Sequence, residues 1–154
     1  IYDAHIMTGV AGKGRGMENA EALAQFLNRT NPAHVVNFSM FLHKEVPLYE
    51  DIRQGTFVPA DELETIREEY HLIERIAPEK AGANILYDGF HDFIHVRVRG
   101  HLPGDKEKML AKLSGIIQEY EGKEPVYSFV QGECPDLEYC DDGKAVWDMD
   151  RKTS

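Results

Sequence analysis

The sequence predicts an α/β fold, and three observations carry that expectation. An apolar, strand-like run from Ala4 to Val10 passes into a glycine-rich loop, Ala11 to Gly16, and then into a helix-forming run, Met17 to Asn28. A second apolar strand, His34 to Leu42, follows and completes a β-α-β unit. The alternation then continues: an acidic amphipathic helix, a β-rich piece from Ala83 to Val98, and a last helix from Lys106 to Glu121. In open α/β folds a ligand sits at the loop that follows a strand.

Each element has a local reason. The first strand is apolar in sequence rather than alternating, which predicts a parallel strand covered on both faces. Gly12, Gly14 and Gly16 permit positive φ and close backbone approach, although their spacing is not the dinucleotide fingerprint. Ala20, Leu23, Ala24 and Leu27 recur at helical spacing, and Asn31-Pro32 stops that helix. In the second strand Val36, Phe38 and Met40 share one face, and Val35, Asn37, Ser39 and Phe41 the other. Asn37 and Ser39 on an otherwise apolar strand predict a polar cavity, such as the inside of a barrel, or else an edge or a satisfied polar position. Pro47-Leu48-Tyr49 opens a short amphipathic turn that Gly55 ends. After Pro59, the run Asp61-Glu62-Leu63-Glu64 starts a helix, with acidic residues where the helix dipole favours them. Its expected buried stripe is Leu63, Ile66, Tyr70, Ile73 and Ile76, and its charges form a solvated outer face. In the third β-rich piece Ile94, Val96 and Val98 alternate before Gly100 and the Leu102-Pro103-Gly104 turn. Asp105 is the expected N-cap of the last helix, which has Met109, Leu113, Ile116, Ile117 and Tyr120 on its core side. Residues 1–121 read as one α/β unit. Residues 122–154, with a strand at Val126 to Val130 and then Gly, Cys, Pro and many Asp, read as an irregular extension.

Composition narrows the function. A chain of 154 residues can bury one sizeable core. A net charge of -10 disfavours nucleic acid and anionic membranes as partners, because phosphate contacts need Lys and Arg. No apolar run approaches the ~20 residues that span a bilayer. Two cysteines, Cys134 and Cys140, point to a reducing compartment, with the cytoplasm as the expected location. With Asp136, Asp141 and Asp142 nearby they form a poor redox pair and a poor half of a metal site. His91, His95 and His101, with Asp88 and Asp92, have metal-ligand chemistry, but Asp92 stands where the helical two-histidine zinc motif needs Glu. A histidine-rich loop at a substrate mouth and a structural role stay open for them. His5 reads as a packing residue. Lys13 and Arg15 could meet a phosphate or carboxylate at a helix N-terminus, or be solvated. No Ser nucleophile elbow, P-loop or EF-hand pattern is present.

A set of segments taken in order carries a family resemblance. Ile6-Met7-Thr8-Gly9-Val10-Ala11-Gly12 is followed by Arg15 and a helix, then by a strand, Pro47-Leu48-Tyr49-Glu50-Asp51 and Gly55-Thr56-Phe57. A helix carrying Glu62, Glu68 and Glu69 comes next, and last His101-Leu102-Pro103-Gly104-Asp105-Lys106-Glu107-Lys108-Met109-Leu110. This order resembles the C-terminal portion of bacterial radical S-adenosylmethionine (SAM) proteins, closest to the Fe-S oxidoreductases labelled as similar to oxygen-independent coproporphyrinogen III oxidase. It covers roughly Ile6 to Tyr120. The departures are Lys44-Glu45-Val46 in place of Pro-Gly-Thr, Asn37 to Phe41 in place of an arginine-containing run, and Phe90 to His95 in place of an asparagine-rich stretch.

The resemblance implies the last βα units of a partial parallel TIM-type barrel. It implies SAM and a 4Fe-4S cluster as cofactors of a parent oxidoreductase that acts on a small-molecule substrate. Thr8, Gly9 and Val10 would sit beside the adenine and ribose, with Phe38, Ser39 and Met40 as neighbours. The family's Cys-x3-Cys-x2-Cys cluster loop is absent from this sequence, so the chain alone is expected to be inactive and to hold no cluster. Unpaired strand edges of a partial barrel predict self-association. The alternative is a stand-alone, non-catalytic α/β ligand-binding or regulatory domain.

Overall fold

The structure is a computed structural model that describes residues 2–129 and two short strands, 138–139 and 145–146. The chain runs β1 (Asp3–Thr8), α1 (Gly16–Thr30), β2 (His34–Ser39), α2 (Pro47–Gln54), α3 (Glu62–Arg75), β3 (Ile85–His91), β4 (Val96–Leu102) and α4 (Lys106–Tyr120). β1, β2 and β3 are parallel neighbours, and β4 closes the order 1-2-3-4 antiparallel to β3. Further on, β5 (Glu138–Tyr139) pairs antiparallel with β6 (Ala145–Val146). The protein is therefore α/β, with a four-stranded, mostly parallel sheet. Among the described residues no helix is long and apolar enough to cross a membrane.

Helices α1, α3 and α4 lie side by side on one face of the sheet, α3 against both of the others. Successive crossovers that step the same way along a sheet put their helices on the same side. The core between them is built from Ala4, Ile6, Val35, Ile85, Tyr87, Val98 and Leu102 of the strands with Ala24, Leu27, Ile66, Ile73 and Leu113 of the helices. β1 consequently alternates, with Ala4, Ile6 and Thr8 buried and Asp3 and His5 exposed. This corrects the expectation of a strand covered on both faces, and of His5 as a packing residue. The helix-free face carries rows across the strands: His5, Val36, Asp88 and Arg99 in one, Met7, Phe38, Phe90 and Arg97 in the next.

The helix ends follow the sequence signals closely. Asn31 caps α1 in the left-handed region at φ 46, and Gly55 ends α2 the same way at φ 76. Asp61 caps α3, its carboxylate accepting the Glu64 N–H at 2.8 Å. Asp105 precedes α4 without capping it; its side chain accepts the His101 N–H at 2.7 Å instead. The third β-rich piece is two strands joined by a 3-10 turn, Asp92–Ile94, not one. The strand expected at Val126 to Val130 is, among the described residues, two isolated bridge positions, Tyr127 and Phe129, the second paired with Leu42. Phe129 closes a second small core with Leu42 and Ile52 at the C-terminal ends of the parallel strands.

The two sheet edges differ. On β4 the outward Arg97 carbonyl accepts Lys112 Nζ at 2.6 Å, and the outward His101 carbonyl accepts the Asp105 N–H at 2.6 Å. On β1 the Tyr2 and Thr8 carbonyls turn inward, to Ala33 and Met40. The alternation along a strand therefore points Asp3, His5 and Met7 outward. Only the Met7 carbonyl among these has a partner in the described residues, Asn19 Nδ2 at 3.4 Å.

Candidate functional site

The most unusual chemistry lies between the sheet and α3. Glu62, Glu68 and Glu69 are buried, not solvated, which corrects the outer-face reading of that helix. Their partners come from neighbouring strands. His91 of β3 is fully buried and donates from Nδ1 to Glu62 Oε2 and from Nε2 to Glu69 Oε2, each at 3.0 Å. Glu69 Oε1 accepts from Asn37 Nδ2 at 3.0 Å and from the Tyr87 hydroxyl at 2.9 Å. Glu62 accepts from the Ser39 hydroxyl at 2.8 Å. Glu68 accepts from the Gly9 N–H at 2.9 Å and from Asn19. Asn37 Nδ2 and the Ser39 hydroxyl thus serve buried carboxylates under the helices rather than lining an open cavity, while Asn37 Oδ1 has no hydrogen-bond partner among the described residues.

The electrostatics follow from burial opposed by pairing. Burial alone would strip the proton from His91, but the Glu69 charge and hydrogen bonds to Glu62 and Glu69 outweigh it and push its pKa up to about 10. Burial alone would raise Glu69; the His91 charge, with hydrogen bonds from His91, Asn37 and Tyr87, outweighs it and holds that carboxyl below its usual range. Glu68 goes the other way, because burial exceeds what Asn19 and Gly9 return and Glu64 adds repulsion. His91 is therefore an imidazolium clamped between two carboxylates. With no exposed surface among the described residues, it ties β3 to α3.

Gly89, between Tyr87 and His91 on the same strand, completes the cluster. A Cβ there would overlap the Glu69 carboxylate, so glycine is what lets α3 bring Glu69 to the sheet. Gly9 is explained by packing too. Its φ is +87, and a Cβ would stand 2.9 Å from Thr65 Cγ2.

The residues expected to contact a cofactor do come together. Thr8 is level with Ser39, Met7 with Phe38, and the Met40 N–H donates to the Thr8 carbonyl at 2.9 Å. Thr8 and Ser39 point into the protein, however, and the Gly9 N–H and Ser39 hydroxyl are already engaged by Glu68 and Glu62. What the two strand ends offer a ligand is apolar: Val10, 44% exposed, Met40, and Phe38 stacked on Phe90 with ring centroids 5.5 Å apart. These groups suit the face of a flat ring.

The glycine loop is not an anion cradle. Glu68 occupies the Gly9 N–H and Glu64 the Gly14 N–H at 3.2 Å, while Arg15 pairs with Glu18 at 2.8 Å. The protein's own carboxylates take the place a phosphate would need. Beside the loop, Gly12, Gly14, Gly16, Met17, Glu64 and Glu68 line a cavity of about 180 Å³.

The three histidines do not converge. His91 is in the core, His95 adopts a left-handed turn at φ 54, and His101 is exposed on β4. Among the described residues no group of three or more His, Cys, Asp and Glu is arranged to hold a metal ion. Cys134 and Cys140 lie outside the described residues. No family model, curated protein or solved structure matches this chain.

Proposed function

We propose that this chain is the closing wall of a radical SAM iron-sulfur oxidoreductase, the last βα units of a partial parallel barrel. The observation that carries the reading is the one-sided helix layer: three parallel strands with their packed helices on one face, and a second face on which, among the described residues, no helix packs and which carries Met7, Val36, Phe38 and Phe90 beside His5, Asp88, Arg97 and Arg99. A barrel wall has this form, with its open face turned to the reaction chamber and its ligand at the C-terminal ends of the strands. In this reading Val10, Phe38 and Met40 pack against the adenine of SAM, and Thr8, Gly9 and Ser39 hold the strand ends that carry them. The chain's own residues do not fit a 4Fe-4S cluster, since the sequence has two cysteines and no Cys-x3-Cys-x2-Cys loop. The cluster, and the electron it delivers to the sulfonium, belong to other parts of a parent protein. The outward backbone of β1 is where this wall would join them, or in isolation a second copy.

The test is the intact mass and reading frame of the native product, with iron and sulfide analysis under anaerobic conditions. A product longer by roughly a hundred residues or more, carrying the three-cysteine loop and about four iron atoms, is the expected result. A native product that begins near Ile1 and holds no iron overturns the reading. One observation favours a second reading, a non-catalytic α/β ligand-binding domain: the cavity beside the glycine loop, lined by Glu64 and Glu68. That result would leave it standing.

A further inference from the structure

We infer that the groove at the outer edge of β4 binds a small molecule carrying two or more phosphate or carboxylate groups. Arg97 and Arg99 of β4 and Lys108 and Lys112 of α4 line a groove of about 410 Å³ over a floor of Val98 and Met109. Four cations and no carboxylate line it, on a chain whose net charge is -10. Such a local inversion of sign in a cleft concentrates anions.

The geometry sets the ligand's chemistry. Arg97 and Arg99 stand two residues apart on a strand, about 6.8 Å along it. Lys108 and Lys112 stand one helical turn apart, about 6 Å along the axis. Arg97 and Arg99 share the Asp88 carboxylate, so the groove presents to a ligand Lys108, Lys112 and the guanidinium nitrogens that Asp88 leaves free. Three of the four are already oriented. Arg97 donates from Nε and Nη2 to Asp88 at 2.8 and 2.6 Å, and its guanidinium lies 4.7 Å from the Phe90 ring centre. Arg99 Nε is 3.7 Å from the same carboxylate, and Lys112 is anchored on the Arg97 carbonyl. Lys108 has no hydrogen bond or ion pair among the described residues. Asp88 offsets one of the four charges and leaves the groove cationic. The volume falls in the range of small-molecule sites, about 300–1,000 Å³. A long polyanion would extend from the groove onto an acidic surface that repels it.

The test titrates the full chain with inorganic pyrophosphate and with citrate, by calorimetry and by amide NMR, at about 20 and about 200 mM salt. The expected result is saturable binding, with shifts at Val98, Arg99 and 108–112, that weakens about tenfold or more at the higher salt. Arg99→Gln/Lys108→Gln loses about tenfold in affinity at an unchanged melting temperature, because both side chains are solvent-facing. Lys13→Gln/Arg15→Gln, with the same charge change elsewhere, keeps it. The inference is overturned by an absence of saturable binding, or by equal loss in both double variants, which marks diffuse electrostatics. It is also overturned by a polyglutamate peptide that occupies the groove when neither small anion does, which marks an acidic protein partner.

Discussion

Replacing His91 by alanine tests the buried network directly. The imidazolium makes two charge-assisted hydrogen bonds at 3.0 Å, each worth about 1.5–3 kcal/mol. Without it Glu69 Oε2 loses its partner, while Oε1 keeps Asn37 and Tyr87, and Glu62 keeps Ser39. Two carboxylates then share a dry site with no cation between them, an arrangement that costs about 3–5 kcal/mol. For a domain of this size that is a fall of about 10 °C or more in Tm. The pH dependence separates this loss from a simple cavity. In the native chain His91 is raised from 6.5 to about 10, so its contribution is complete below pH 6.5 and is lost as pH rises through about 10. Glu69 is lowered from 4.5, so its contribution is complete above pH 4.5 and is lost as pH falls through its folded value. The network is therefore whole between pH 4.5 and 6.5. In His91→Ala the remaining carboxylates gain by protonation, so the variant is most stable in acid and weakens as pH rises toward neutrality. Thermal melts followed by circular dichroism from about pH 4 to about pH 9 read both effects. A variant within about 2 °C of the native Tm at neutral pH, or one whose pH curve runs parallel to the native curve, refutes the clamp.

Gly89→Ala displaces Glu69 from the sheet and destabilises by about 1–3 kcal/mol in chemical denaturation, with His91 ring shifts in NMR reporting the displacement. Tyr87→Phe removes one hydrogen bond to the Glu69 carboxylate and costs about 1.5–3 kcal/mol, measured the same way. Glu68 is raised, so its ionisation opposes folding as pH rises above the usual carboxylate range near 4.5; Glu68→Gln flattens that part of the stability curve. Phe129→Ala opens the small core with Leu42 and Ile52 at a cost of about 3–5 kcal/mol. Amide exchange in α2 is expected to accelerate in that variant far more than exchange in β2 or β3.

The β-α-β start, the caps at Asn31, Gly55 and Asp61, and the core stripe of α1 were legible because each rests on a local rule of the chain. The phase of α3 was not. Ile66, Ile73 and Ile76 belong to two overlapping stripes, one passing through Leu63 and Tyr70 and the other through Glu62 and Glu69. Hydrophobicity favours the first, and the fold takes the second. The signal for it lay elsewhere in the sequence: Asn37 and Ser39 on the buried face of β2, and His91 two residues after a glycine in β3. Polar groups on two facing elements imply partners, but nothing local says that the elements face each other. The alternating burial of β1 was hidden for a similar reason, because Met7 and Val10 look like core residues until the helices are all assigned to one side. The cationic groove joins a strand to a helix through space, and no sequence period encodes it.

The unequal edges of the sheet set a limit on assembly. Lys112 and Asp105 engage outward backbone groups at both ends of β4, leaving only the stretch around Arg99 between them, whereas β1 presents a longer run of outward groups. Two copies joined through β1 would form one continuous eight-stranded sheet whose margins are both β4. Each margin then offers only a short stretch of free edge, which disfavours further edge pairing. In a larger barrel the same asymmetry gives the wall a direction, with one side built to be joined and the other built to finish.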